Sequence, residues 1–357
     1  VSAKNTGLLT GAAFAIVTAV VFLRAPSDKR GRLAAQAAVI GMVAVAMLAP
    51  WLIKSYLNTG NPVHPFLHGY FGGTYWNNDL GRTLLEFHRS HGIGFSLPSL
   101  SLFLFKITVN PQLFADTASI TPVFLGFLPL LWLLRKRIPR QIITLLVLAA
   151  VLVALQFFTA QQTRYLFLTW GILSIITAYT VHAFRTERLI RTGLYAFIAV
   201  SLAISAAMWA AANLDDVPVA VGLQPEKMYL TEKVPAYAAT EFLASADKNG
   251  IVCWYGEGRG FWARNPYVLC NPLYQGYVNF FEIKTPQRLS QRLKDINISY
   301  VLYEKRMRQP PLYGNKKIFS DKTTEYYFSS NQLMQTYLSG FGTKIYEDNN
   351  SEIYKVS

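Results

Sequence analysis

The stretch AAQAAVIGMVAVAMLAPWLIKSYLNTGNPVHPFLHGYFGG, residues 34–73, decides the fold. From Ala34 to Ile53 it carries no charge. Lys54 ends the run, and Pro, Gly, Asn, His and aromatic residues follow it. A bilayer-crossing helix needs about 20 mainly apolar residues, and 33–53 has that length. Polar backbone near membrane depth is tolerated only where protein or a wet cavity covers it. Residues 54–73 therefore read as cavity lining at the end of a span. Asn58, Gly60 and Asn61-Pro62 supply turns there, and Lys54 has the reach to snorkel or to enter the cavity.

The same pattern repeats outward from this stretch. Six apolar runs have spanning length: 5–23, 33–53, 117–134, 141–158, 165–184 and 192–213. A lone apolar helix can be soluble core, but six in series cannot. Only 15% of the 357 residues are charged and 52% are hydrophobic, against about 25% charged in ordinary soluble domains; the mean hydropathy is +0.24. The net charge of +14 concentrates in short loops. Arg24, Lys29, Arg30 and Arg32 lie in the first, Arg135, Lys136, Arg137 and Arg140 in the second, and Arg185, Arg188 and Arg191 in the third. Excess Lys and Arg marks cytoplasmic loops, so these three face inward, and 54–116, the turn near 159–164 and the C-terminal region face outward. No basic-aromatic groove accompanies the charge, so no nucleic-acid partner is expected.

Within the outer segment 54–116, SLPSLSLFLFKI at 96–107 is apolar but too short to span, and reads as a helix lying along the interface. Residues 221–357 have soluble composition and mixed α/β signals. A helix is expected near Pro235 and EFLASADK, a buried strand at GIVCWYG, and a helix opening at Thr285-Pro286. A second strand follows at 298–304, and a hairpin over 343–356 turns at Asn349 and Asn350. The fold class is thus a polytopic α-helical membrane protein followed by a small extracytoplasmic α/β domain. Residues 1–220 form the transmembrane part and 221–357 the outer domain.

APWLIKSYLNTGNPVHPF, residues 49–66, resembles the PW-x-x-[KR]-x-x-x-x-TGNP-x-x-P segment of bacterial GT-C glycosyltransferases. These are similar to dolichyl-phosphate-mannose:protein mannosyltransferases and to aminoarabinose transferases, glycosyltransferase family 39-like proteins. QQTRYLFL at 161–168 is similar to the family's RYLLP-type start of a late span, with Phe167 and Leu168 in place of the common Leu-Pro. GIVCWYGEGRGFW at 250–262 resembles a strand and turn of the family's outer domain, and AKNTGLL at 3–9 its Lys-Tyr-Thr opening of a middle span.

The resemblance implies an integral-membrane enzyme of the bacterial plasma membrane. Such an enzyme moves a sugar from a polyprenyl-phosphate donor to a glycan, lipid or protein acceptor on the outer face. The implied chemistry is inverting displacement at the anomeric carbon, with an Asp or Glu as base. In the family that carboxylate lies in the first outer loop, which this sequence does not contain. Since the chain opens at Val1 without Met or signal peptide, it reads as a C-terminal fragment that lacks the base and an odd number of spans and is inactive alone. Its remaining groups belong to the leaving phosphate, which needs cations where negative charge develops. These are Arg164 with Tyr165, then Lys54 and Lys4; for each the plain alternative is a snorkelling anchor. Tyr56, Asn58, Asn61, His64 and His68 are acceptor-contacting or cavity-lining candidates.

Other readings are weaker. His64, His68, Asp79, Glu86, His88 and His91 could together hold a divalent metal. Pro65 interrupts the first pair, however, and a polar cavity lining is the preferred reading, so no metal or other cofactor is assigned. Asp79, Glu86 and Asp116 are minor candidates for a second carboxylate. Gly256, Gly258 and Gly260 have GxGxG rather than GxGxxG spacing and read as a plain turn. Cys253 and Cys270 are either a disulfide or two buried thiols. Rival functions are a polysaccharide polymerase or O-antigen ligase, and a non-catalytic transporter or scaffold.

Overall fold

The structure is a computed structural model that describes residues 6–114, 121–256, 260–274, 276–309, 312–313, 316–317 and 319–356. Lys4 and Asp116 lie outside the described residues, as does Gly258 of the glycine-rich turn. The helices begin with α1 (Thr6–Arg24), α2 (Ser27–Thr59), α3 (His68–Phe71), α4 (Asn78–Arg89) and α5 (Leu97–Val109). Then come α6 (Val123–Leu133), α7 (Arg140–Thr159), α8 (Phe167–Ala183), α9 (Arg188–Asn213), α10 (Val217–Ala220) and α11 (Glu226–Lys233). The last three are α12 (Tyr237–Ala246), α13 (Pro286–Asp295) and α14 (Asp321–Phe341). The strands are β1 (Ile251–Tyr255), β2 (Tyr267–Leu269), β3 (Ile298–Glu304), β4 (Leu312–Tyr313), β5 (Lys316–Lys317), β6 (Gly342–Glu347) and β7 (Ser351–Val356).

The chain is mostly helical and divides into two compact units. One comprises residues 1–53 and 91–215; the other comprises 54–90 and 216–357.

Among the described residues five stretches are long and apolar enough to cross a membrane: Gly7–Arg24, Ser27–Thr59, Arg140–Thr159, Thr163–Ala183 and Arg188–Ala220. Six were expected. The difference is the run 117–134, whose described helix α6 has only 11 residues and contains Pro129. At 1.5 Å per residue it falls well short of a hydrocarbon core of about 30 Å. A second difference concerns α2, which continues six residues beyond Ile53, through Pro50 and on to Thr59. Lys54, Tyr56 and Asn58 are therefore helical residues, not loop. The helix stops at Gly60, which takes the left-handed conformation with φ 75°, the usual terminator where a Cβ would be strained.

The segment expected at the interface is helical as α5, with Ser96 capping Ser99 N and Pro98 in the first turn. Its inner face meets α7 in an aromatic cluster, where Phe103 lies edge-on to Phe157 and Phe114 at 5.3 and 5.6 Å. Another core joins α1, α7 and α8 through Ala13, Val17, Leu148, Leu152, Leu173 and Ile176. Helix α6 packs on α8 by stacking Phe124 on Trp170. In contrast, α2 buries no residue, and Ile40, Met42, Val45 and Met47 are more than 60% exposed. An uninterrupted apolar helix exposed all round suits a hydrocarbon solvent rather than water.

The second unit carries a five-stranded sheet in the order β2-β1-β3-β7-β6. β1 runs parallel to both β2 and β3, whereas β7 is antiparallel to β3 and β6. Alternating side chains divide the strands between two cores. Cys253, Tyr255, Val301 and Tyr303 face Leu289 and Leu293 of α13 and Met334, Tyr337 and Leu338 of α14. Val252, Trp254, Tyr300 and Leu302 face Ala239 and Leu243 of α12. The expected strands at 250–256 and 298–304 and the hairpin 343–356 are present. Asp348 builds the hairpin turn, its Oδ1 accepting from Asn350 N and Ser351 N at 2.8 and 2.7 Å. A disulfide joins Cys253 of β1 to Cys270 beside β2, which resolves the two cysteine readings.

Candidate functional site

Two of the sequence motifs fold into built local structures. The first is the knot that follows α2. Asn61 is fully buried. Its Nδ2 donates to Phe66 O at 2.9 Å and to Gly72 O at 3.3 Å, while its Oδ1 accepts from Val63 N at 2.9 Å. Ser55 Oγ donates to Asn61 O at 2.7 Å, and Thr74 N donates to Thr59 O at 2.8 Å. Asn61 thus spends its side chain on the backbone of its own loop. Within this unit Lys54, Tyr56 and Asn58 are exposed along the last turns of α2. His64 and His68 come together, each with a buried Nδ1 that has no hydrogen-bond partner. Burial lowers the His64 pKa from its ordinary value, and the charge of His68 lowers it further. The His64 ring meets Trp76 edge-on at 5.6 Å.

Among the described residues no three His, Cys, Asp or Glu side chains form a group able to hold a metal. Two carboxylates of the metal reading are engaged elsewhere. Asp79 pairs with Arg82 at 3.5 Å, and Glu86 accepts from Ser320 N and Oγ at 3.2 and 3.0 Å.

The second built structure is the QQTRY turn. Gln161 is fully buried and satisfied. It donates to Gly94 O at 2.6 Å and accepts from Ile93 N at 2.8 Å. It also lies so close to Gly92 (φ 92°) that a Cβ there would fall 1.9 Å from its Oε1. Gln162 is equally buried, yet neither its Oε1 nor its Nε2 has a partner, and Thr163 Oγ1 has none. Next to them Arg164 is exposed, its guanidinium 5.1 Å from the Tyr165 ring centre, and among the described residues no carboxylate pairs with it. Unpaired buried polar atoms cost about 1–3 kcal/mol each, and native proteins rarely carry them without a reason. Reading the sequence brought out Arg164 and Tyr165 but passed over Gln162 and Thr163. Their signal was two consecutive glutamines at the start of an apolar span.

A third feature was not foreseen. Within the second unit a cavity of about 560 Å³ opens between the 75–80 segment and α13. Tyr75, Trp76 and Tyr277 form its aromatic wall, and Arg288, Gln291, Arg292 and Asp295 line it from one face of α13. Those four positions follow the i, i+3, i+4, i+7 spacing of a single helix face. The opposite face, Leu289 and Leu293, lies in the sheet core. The two walls are 200 residues apart in the chain, so nothing in the sequence pairs them.

No protein-family model matches the chain, and no curated protein matches it.

Proposed function

We propose that the chain belongs to an integral-membrane glycosyltransferase that takes a sugar from a polyprenyl-phosphate carrier. Among the described residues five apolar helices of spanning length support the membrane setting. One observation carries the reading. Arg164 stands at the start of an apolar helix beside Gln162 and Thr163, whose buried polar atoms have no protein partner. Polar groups kept inside apolar helical surroundings mark ligand sites, and a cation with adjacent neutral donors suits a phosphate oxygen.

In this reading the acceptor hydroxyl attacks the anomeric carbon as the bond from that carbon to the phosphate oxygen breaks. The bonding electrons leave with the phosphate, where Arg164, with Tyr165 beside it, stabilises the developing charge. The hydroxyl proton goes to a carboxylate that is not assigned to any residue of this chain.

The test is binding of polyprenyl phosphate to the chain in nanodiscs. Arg164→Ala is expected to weaken binding about tenfold or more, the loss of one charge-assisted contact, and Arg164→Lys to restore part of it. Equal binding by wild type and Arg164→Ala would overturn the assignment. Transfer from a labelled polyprenyl-phosphate sugar, assayed with the complete reading frame, then tests the activity itself.

A further inference from the structure

We infer that the cavity between the 75–80 segment and α13 is a binding site for a neutral saccharide of two or more rings. Three properties of its lining carry this.

The first is the aromatic wall. Tyr75, Trp76 and Tyr277 all line the cavity, and the rings of Tyr75 and Tyr277 lie 4.5 Å apart. Flat rings with a polar edge suit a ligand that is apolar on one face and polar at its rim, as a pyranose is.

The second is the balance of charge. The lining holds two cations, Arg288 and Arg292, and two anions, Glu282 and Asp295, so the cavity favours neither an anion nor a cation. Two of the four are already committed. Arg292 Nη2 donates to Tyr277 O at 2.7 Å, and Asp295 accepts from Gln291 at 2.7 Å. Among the described residues Arg288 and Glu282 have no ionic or hydrogen-bond partner through their side chains. Nor has the Asn279 Nδ2, since Asn279 uses only its Oδ1, for Phe281 N and the Asn77 amide. A free guanidinium, a free carboxylate and a free amide are planar groups that can each bracket neighbouring hydroxyls.

The third is rigidity. The Asn77 side chain caps α4 through Leu80 N at 2.8 Å, and Thr285 caps α13. At Gly276 a Cβ would fall 1.9 Å from Tyr75 O, so the loop before α13 meets the 75–80 segment backbone to backbone. A pre-formed pocket of this volume lies within the usual range for small-molecule sites, about 300–1,000 Å³. It is too large for a single sugar ring to fill.

The inference rests on the cavity and not on the glycosyltransferase reading. The test is saturation-transfer NMR on the full chain in lipid nanodiscs, free of sugar-based detergent, with cellobiose, chitobiose and mannobiose as probes. At least one probe is expected to receive saturation. Trp76→Ala and Arg288→Ala are each expected to weaken its binding about tenfold, a loss of one good contact. Should Trp76→Ala fail to fold, Arg288→Ala on the exposed face of α13 decides alone. Absence of transfer to all three probes overturns the inference, as does unchanged affinity in folded variants. Polyprenyl phosphate is measured on the same sample. If it binds while no disaccharide does, only the cavity assignment fails. If a disaccharide binds while polyprenyl phosphate does not, the donor reading fails and the cavity assignment stands.

Discussion

Asn61 shows how much one side chain can organise. Its three hydrogen bonds hold Val63, Phe66 and Gly72 in a single loop, and Asn61→Ala leaves all three backbone groups short of a partner. The expected cost is about 3 kcal/mol, read as a lower thermal midpoint of the sheet-bearing unit. His64, in the same knot, makes stability depend on pH. Its pKa is lowered on folding, by burial first and by His68 second. Above its ordinary value of 6.5 it is neutral in both states and contributes nothing. Below that value the unfolded chain takes up the proton first, so stability falls with pH until the folded-state pKa is passed. Thermal midpoints between neutral and mildly acidic pH are expected to drop more for wild type than for His64→Gln. Equal drops would assign the acid sensitivity to other groups.

At the scale of elements, α13 has one face in the sheet core and the other along the cavity. Leu289 is fully buried against the sheet, and Leu289→Ala is expected to cost about 2–5 kcal/mol. Arg288, one residue earlier, is exposed, and Arg288→Ala is expected to shift stability by less than about 0.5 kcal/mol. Chemical denaturation of the two variants checks the contrast. The basic loops likewise have local as well as topological work. Arg30 donates from Nε and Nη2 to the carbonyls of Ala25 and Leu23 at the end of α1, and Arg191 Nη1 donates to Arg185 O. Cations at helix C-termini are favourable on electrostatic grounds alone. Not every Arg in these loops, then, is there only to orient the chain.

For the whole molecule, the exposed apolar surface of α2 leads to a direct expectation. The chain should stay in the membrane fraction through alkaline carbonate extraction, and release into the supernatant would contradict the membrane reading. If α6 crosses together with the five longer helices, reporter fusions in the three basic loops give cytoplasmic signals and fusions after Glu226 give extracytoplasmic ones. The loop 135–140 is the sensitive case, because α6 before it is short. An external signal there would mean that α6 does not cross, and it would then be accompanied by an external 185–191 loop and a cytoplasmic signal after Glu226.

Much of this was legible along the chain. Helices α1, α2, α7, α8 and α9 could be read from unbroken apolar length. The helix at Thr285-Pro286 could be read from its cap, and the strands from β-branched and aromatic runs. These signals are local: one segment's own composition decides whether it can leave water or pair its backbone. The Arg164 turn was visible for the same reason, as a lone cation at the edge of an apolar run. The length of α6 and the continuation of α2 past Ile53 to Thr59 were less legible, because neighbouring helices and the chain's exit geometry set where a helix stops. The orphaned amide of Gln162, the closure of Asn61 on its own loop and the cavity between Tyr75 and α13 came only from the tertiary structure. Each depends on which groups meet across tens or hundreds of residues, and composition along one segment holds no information about that meeting. Sequence alone therefore determined the five long apolar helices and the strands β1, β3, β6 and β7, but not the edge strand β2 or the helix α14. Only the packing decided which polar groups are spent on the fold and which lack a protein partner.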